Sequence, residues 1–593
     1  MKKLSMIAAV LLTSGAFATP FVYPEKWSSS KSSEVQMGGT FRVVNLQDFK
    51  TLNPFTSRES PNLPTILSAG GLLTRDVVTD EYIPFMAESF KLSADKTTFT
   101  LNIRKGMKWS DGKPIIADDW ITTYTLESNK DIGSNAYSGW FPNDKPIKVT
   151  KIDADTIQVK FPFPDVTAYE NLSSFLPQPT HVFMPVFKAK GADGIKEMWS
   201  VTTDADEIVV SGPFKLDKYV AGERAILKKN AAFGEWAKDS AGKSLPYLDS
   251  IQIQFVADSN AHLAQYLSGN TDYLSPVSRD QLAQVKSAID AKKLAADLIP
   301  NASSRASSDF VVLNMDRGDT FKGKLFRNVK FRQALSMLTN RDAMVDLALG
   351  GLGQATYTGV YPVFKSWIYP EADKYKYNPT AANKILDDMG FKKKGADGIR
   401  VDSQGNRLAF TLIANAENNR RQQFAGIMKE EFKKAGIDLT TSFIAFNQMS
   451  EMLDAKPGFA PRQFDAIMIG LVNGSAVFPV SGDNVVKCTG LPEDGNLHMG
   501  NQTNKCLFPW ETQTVNLYYK GRQEFDLAKR RQIAFQIQKL ESENLPVIQL
   551  AAQTVHYSWM SKVQGEFQKP QINAINASTL FGPRAIELTW IKK

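Results

Sequence analysis

Two hydrophobic periods are interleaved along this chain, and neither runs long enough to build a fold alone. Residues 38–46 ("GGTFRVVNL"), 99–104 ("FTLNIR"), 210–220 ("VSGPFKLDKYV") and 250–256 ("SIQIQFV") read as strands, and the strict apolar–polar alternation of FTLNIR is that of a half-buried one. Past residue 320 a helical period becomes clear. Ala382, Ile385, Leu386 and Met389 fall on one helical face, opened by Asn378 as cap and Pro379 at the first helical position, and stopped by Gly390. A similar stripe runs Phe424, Ile427, Met428, Phe432 and Ala435 to Gly436, and a third helix spans about Asp526 to Asn544, ahead of Pro546. Irregular alternation of this kind predicts a mixed α/β protein. No short-period repeat is present, and "SSSKSS" (28–33) reads as a flexible leader.

The first 18 residues, "MKKLSMIAAVLLTSGAFA", join two lysines, a short apolar run and Ala16-Phe17-Ala18. This is the form of a cleavable export signal, with a mature chain from Thr19. No cysteine follows it to carry a lipid, and no later stretch offers about 18 uninterrupted apolar residues. The mature chain of 593 − 18 = 575 residues has room for three or four domains of about 150 residues. Its charge of +8 − 2 = +6 is small for that size, without basic blocks interleaved with aromatics, so no nucleic-acid partner is expected. The two cysteines, Cys488 and Cys506, are expected to pair in an oxidising compartment. They would close a polar, glycine-rich loop that cannot hold itself by packing. A redox pair or metal site lacks the C-x-x-C spacing.

The search for catalytic chemistry is negative. His181, His262, His498 and His556 are scattered, and neither H-E-x-x-H nor G-x-S-x-G occurs. "GDTFKGKL" (318–325) starts like a phosphate loop, but Leu325 stands where a magnesium-holding hydroxyl belongs, and a solvated turn fits better. "GGLGQA" (350–355) lacks the third glycine of a dinucleotide fingerprint and reads as a loop after a helix. Asp118 and Asp119 are adjacent, so on a helix they point apart and cannot share one substrate bond. Placed in a first turn, they complement the helix dipole by about 0.3–1 kcal/mol. In "KGMKWSDGKPIIADDW" (105–120), Asp111-Gly112 signals a turn and Pro114 fixes its exit. Trp109 and Trp120 are expected to clamp that turn onto the helix, as scaffold.

The order "TLNP", "FTLNIRKGMKWSDGKPIIADDW", "SGPFKL", "NVKFRQALSMLTNRDAMV", "NPTAANKILDDMGF" and "DGIRVDSQGNRLAFTLI" resembles the large extracytoplasmic solute-binding proteins of ABC importers, in the oligopeptide- and dipeptide-binding class. The resemblance covers nearly all of the mature chain. It implies an α/β, two-lobed periplasmic-binding-protein (Venus flytrap) fold with an additional third domain. The first lobe would be discontinuous, about 19–60, 209–305 and 552–593. The accessory domain would be 61–208 and the second lobe 306–551. The implied function is capture of an oligopeptide or oligosaccharide between closing lobes and delivery to ABC permease subunits, by a monomer with no cofactor, no metal and no catalytic group. An envelope peptide chaperone or solute sensor on the same scaffold is the alternative, and a secreted hydrolase a more distant one.

Peptide-binding members of that class carry an aspartate for the peptide amine in a "W-x-x-D-Y-x-D-P"-like segment of the second lobe. The matching segment here is "FDAIMIGLVNGSAVFP" (464–479). Asp465 is kept at the strand start, a structural place, while the later acids and tryptophan are replaced by Gly470, Asn473, Gly474 and Ser475. Neutral hydrogen-bonding groups there suit a hydroxyl-rich solute or a peptide backbone. "TSRES" matches the first-lobe loop facing the cleft, which makes Ser57, Arg58 and Glu59 ligand candidates; Arg58 could pair a carboxylate and Glu59 an amine. Trp367 and Trp510 are candidate stacking faces.

Overall fold

The structure is a computed structural model that describes residues 19–46, 48–57, 63–76, 79, 81–275, 277–304, 307–318, 320–453, 462–472, 475–488, 505–565 and 586–593. The expected export signal and the candidates Arg58, Glu59, Asn473 and Gly474 lie outside the described residues.

Each of the three bodies has a main sheet, and a fourth sheet pairs Tyr273–Leu274, Ala551–Met560 and Ala296–Ser304 where the chain crosses between lobes. In the first lobe the strands run in the order Thr40–Asn45, Ser250–Phe255, Arg224–Lys229, Phe214–Val220, with the first pair parallel and the others antiparallel. The accessory sheet is antiparallel throughout, in the order Ala87–Leu92, Thr98–Ile103, Thr156–Lys160, Lys148–Lys151. The FTLNIR alternation does what its period demands: Phe99, Leu101 and Ile103 are buried while Asn102 faces solvent. The second lobe has a five-stranded mixed sheet, in the order Asp438–Ile444, Ala409–Asn415, Ala466–Val472, Ser307–Leu313, Val547–Gln549.

Three apolar cores back these sheets, and they cut across the chain order, since the first lobe's core also takes in Leu126, Phe183 and Ile195 from the accessory stretch. Phe310, Phe331, Leu412, Phe424 and Ile467 belong to the second lobe. Phe41, Phe214, Ile251, Tyr266 and Trp559 belong to the first. The accessory core gathers Phe99, Leu101, Trp109 and Trp120, and also Phe21, Tyr23, Trp27, Trp236 and Trp590 from the chain ends and the first-lobe segments. The serine-rich stretch 28–33 is therefore not a free leader. Trp27 is fully buried, and Ser30 Oγ accepts from Trp590 Nε1 at 3.2 Å. Aromatic anchors on either side hold it down.

The helices follow their caps. Pro379–Asp388 is opened by Asn378, whose Oδ1 accepts from Ala381 N at 3.0 Å. Leu527–Asn544 is opened by Asp526 accepting from Lys529 N at 2.9 Å. The Phe424 stripe lies on the helix Asn419–Lys434, which Asn418 caps by accepting from Arg421 N at 3.1 Å. The phosphate-loop-like stretch forms the short helix Phe321–Arg327 rather than a solvated turn, with Thr320 Oγ1 accepting from Gly323 N at 3.1 Å. Glycine is required at 323, since a Cβ would meet Gly318 O at 2.2 Å. The GGLGQA stretch ends in a strand, Gly353–Ala355, rather than remaining loop.

Two neighbouring antiparallel crossings join the first and second lobes. Ala296–Ser304 lies in one sheet, and Ser307–Leu313 starts the next almost at once. Val547–Gln549 returns in the second lobe's sheet, and after Leu550 the chain continues as Ala551–Met560 beside Ala296–Ser304. Paired crossings of this kind let two bodies rotate while the strands keep register.

Candidate functional site

The residues just beyond those crossings form a charged corner. Arg420 and Arg421 stand in the first turn of Asn419–Lys434, where positive charge opposes the helix dipole. Their placement is offset by Asp309, the third residue of the crossing strand Ser307–Leu313. Arg421 Nε donates to Asp309 Oδ1 at 2.9 Å, and Arg420 Nε to Asp309 Oδ2 at 2.7 Å. Arg421 Nη1 also donates to Asn415 Oδ1 at 2.8 Å, and Arg420 Nη1 to Gln553 Oε1 on the returning crossing strand. Burial pushes the Asp309 carboxyl up, but the two guanidiniums together hold it below the usual carboxylate range. Two arginines on one aspartate leave a positive excess. Arg420 is the outer one, its side chain 23 % exposed against 3 % for Asp309.

The strand Ala466–Val472 ends at the same corner. Its register sets Val472 against Ser307, Leu471 against Ser308 and Gly470 against Asp309. Gly470 has no room for a side chain, since a Cβ would lie 2.7 Å from Asp309 Oδ1 and 3.0 Å from Arg421 Nη2. The chain therefore ends this strand at Val472, beside the first crossing. It then meets the accessory domain, where Glu170 Oε1 accepts from Ala476 N at 2.7 Å. Burial raises the Glu170 carboxyl, with hydrogen bonds from Ser475 and from the Ala476 and Val477 amides pulling the other way.

The remaining sequence candidates fall in different places. Ser475 Oγ accepts from Phe478 N at 3.0 Å and also serves Glu170. Ser57 is buried, its carbonyl accepts from Asn135 Nδ2 at 3.2 Å, and its Oγ has no partner among the described residues. Trp367 does not offer an open face. It packs in a small core with Phe364, Phe478, Val480 and Ile537, with the Arg530 and Arg531 guanidiniums 5.9 and 5.5 Å from its ring. Trp510 is partly exposed and stacked on Phe508, with ring centres 6.0 Å apart and planes at 14°. Asp465 has the structural place expected of it, paired with Lys322 at 2.6 Å and Arg317 at 3.2 Å. Cys488 and Cys506 are joined in a disulfide with Cα atoms 4.9 Å apart. The corner of Asp309, Arg420 and Gln553 was not read from the sequence. The signal that could have shown it is "NNRRQ", a basic pair set in a helix's first turn.

Two lobes joined by paired strand crossings, with an extra domain packed on the first, define the class: a solute-binding fold of the periplasmic kind. Residues 81–482 match the family model of bacterial extracellular solute-binding proteins, family 5 (middle part), and the chain belongs to that family. Family 5 proteins bind small-molecule or peptide ligands and work with ABC permeases. A probable ABC transporter-binding protein of Deinococcus radiodurans is 66 % identical over the whole of both chains. The oligopeptide-binding protein AppA of Bacillus subtilis is 27 % identical over 75 % of this chain and 76 % of its own. Its structure with a nonapeptide superposes with a TM-score of 0.73 at 23 % identity, over 94 % of this chain and all of that one. The periplasmic binding protein MelB of Agrobacterium fabrum, in complex with stachyose, gives 0.78 at 21 % identity, over 96 % and 87 %. At these identities the structural likeness is one of fold. No helix among the described residues is long and apolar enough to cross a membrane.

Proposed function

We propose that this chain is the exported capture component of an ABC importer, closing two lobes over an oligopeptide or oligosaccharide and handing it to a membrane permease. The observation that carries the reading is the pair of strand crossings with the Asp309–Arg420–Gln553 corner beside them. That corner ties the second lobe's helix to the returning strand where a hinge would bend. In this reading the first lobe is 19–60, 209–305 and 552–593, the accessory domain 61–208 and the second lobe 306–551, and the sheet breaks near residues 305 and 550 support the boundaries between the two lobes. No catalytic group is required, because the energy of transport would come from the partner ATPase; closure needs only ligand contacts that outweigh its cost. The protein would act as a monomer without nucleic acid.

The ligand end held by Asn473, Gly474 and Ser475 is neutral in this reading. Asn offers donors and an acceptor and Ser a hydroxyl, which suits a sugar or a backbone amide better than an ammonium. Arg420, its charge engaged by Asp309, would donate to a neutral acceptor oxygen of the solute, and the Ser57 hydroxyl, without a partner among the described residues, would complete the first-lobe side. Arg58 and Glu59 follow it in the sequence, and Trp510 keeps a partly open face. A peptide and an oligosaccharide both remain served by this set, as AppA and MelB illustrate on the same fold.

Native mass spectrometry of freshly purified protein should show a retained solute, and calorimetry should return it to stripped protein. Asn473→Ala should weaken that binding by about 1–3 kcal/mol by leaving a buried partner unsatisfied. Affinity should vary little with salt, since the neutral network offers no exposed ion pair to screen. Tight, salt-sensitive binding of free-amine peptides that ignores Asn473→Ala would overturn the neutral-end reading. Turnover of a peptide or glycan by the purified protein would overturn the capture reading.

A further inference from the structure

The accessory domain contains a cavity of about 260 Å³ that the capture mechanism does not use. Its walls are the buried side chains of Trp140, Ile147, Phe161 and Phe175, an extension of the accessory core. Its lining also includes the exposed residues Asn135, Ser138 and Ser174. Among the described residues one charged group, Glu127, lines it. Glu127 is the last residue of the helix Ala117–Glu127, and its Oε2 accepts from Trp140 Nε1 at 2.9 Å. That is the side chain's only hydrogen bond among the described residues, and no cation there pairs with it.

A carboxylate against an apolar wall without a counter-ion is costly. A glutamine would accept the same indole bond at no charge cost, so the bond to Trp140 does not account for the acid. A ligand that brings its own positive charge does. The aromatic walls favour the same class, because a cation is attracted to ring faces while an apolar body fills the rest. Ring geometry is already set by neighbours: Trp140 meets Phe175 edge-on at 4.9 Å and Tyr124 at 5.1 Å.

We propose that this cavity is a second ligand site, separate from the interlobe cleft, that takes a small primary amine with an aromatic or aliphatic body, its ammonium on Glu127. Burial pushes the empty-site Glu127 carboxyl up to about 7. A bound ammonium would favour its ionised form, so binding near neutral pH should release a fraction of a proton. Asn135 also places the cavity close to the first-lobe loop, since its Nδ2 donates to Ser57 O.

The test uses the full chain and two probes of nearly equal shape, phenethylamine and 2-phenylethanol, followed by ligand-observed NMR and calorimetry. The amine should bind the native chain at least tenfold more tightly than the alcohol. Glu127→Gln should abolish that preference while leaving the alcohol's affinity unchanged, which a folding defect would not do. Gly139 lines the cavity outside the left-handed backbone region, and a Cβ there meets nothing within 4 Å. Gly139→Phe should therefore fill the space and weaken both probes without unfolding the domain. An amine that fails to bind the native chain, or that binds Glu127→Gln equally well, would overturn the proposal. Binding of the retained interlobe solute should be unchanged in Glu127→Gln, so the two sites stand or fall separately.

Discussion

Asp119 concentrates much of the accessory domain's order in one buried carboxylate. It accepts from Ile116 N at 3.0 Å, Trp109 Nε1 at 3.1 Å, Thr180 N at 2.9 Å and Thr180 Oγ1 at 2.8 Å. Burial pushes its pKa up and these bonds pull it back without cancelling the rise. The side chain thus closes its own helix N-terminus and also ties the Trp109 turn to the helix at Thr180. Trp109, 1 % exposed, is part of that hub. Trp109→Ala should cost about 3–5 kcal/mol in denaturant unfolding, the range for a buried large aromatic. Calorimetry on the folded fraction should show unchanged solute affinity; lost binding with unchanged stability would place this stretch in the site instead. Glu541 makes a second residue-scale prediction. It faces Gly359 N at 3.5 Å, and burial raises its carboxyl from 4.5 to about 7. Between those values the folded chain keeps a proton that the unfolded chain has lost, so stability falls as pH rises through this window. The stability lost across this window is on the order of 3 kcal/mol. Glu541→Gln should flatten the melting temperature between pH 5 and pH 8 relative to the native chain. An unchanged pH slope would contradict the assignment.

Elements are held together by contacts that span long stretches of chain. Asp165, between the accessory sheet and its next helix, pairs with Arg522 near the end of the second-lobe helix Pro509–Gln523. Arg522 Nη2 lies 2.5 Å from Asp165 Oδ2, with side-chain exposures of 7 % and 0 %. Val166 N donates to Arg522 O at 2.7 Å alongside. Removing one member of a buried pair strands the other charge, so Arg522→Gln should lower stability by about 3–5 kcal/mol. Adding Asp165→Asn should recover part of the loss in a double-mutant cycle; simple additivity would contradict the pairing. Contacts of this range explain what could be read from the sequence. Asn378 and Asp526 announce their helices because a cap acts on backbone amides within three residues. The Arg420–Asp309 corner spans 111 residues, and only the misfit of two arginines with a helix dipole hinted at it. Trp367 looked like a free aromatic face because nothing local tells a stacking tryptophan from one covered by arginines 163 or 164 residues on.

At the scale of the whole molecule, the second lobe is joined to the first by the crossings and docked on the accessory domain by Asp165–Arg522, Glu170–Ala476 and Asp144–Lys487. In the proposed mechanism, rotation about the crossings would have to break or move these contacts, which would bias the balance between open and closed forms. The fold class was legible because the strand and helix periods are clean and the family's segments come in order. The ligand was not, because the proposed contacts, from Ser57 to Trp510, are hundreds of residues apart in the chain. The most direct test of the account is small-angle X-ray scattering of the full chain, stripped of its retained solute and then with the solute returned. The stripped chain should have the larger radius of gyration, and added solute should reduce it in a saturating manner at the concentration that calorimetry gives. A radius that does not change as the solute binds would contradict closure of the lobes over the ligand.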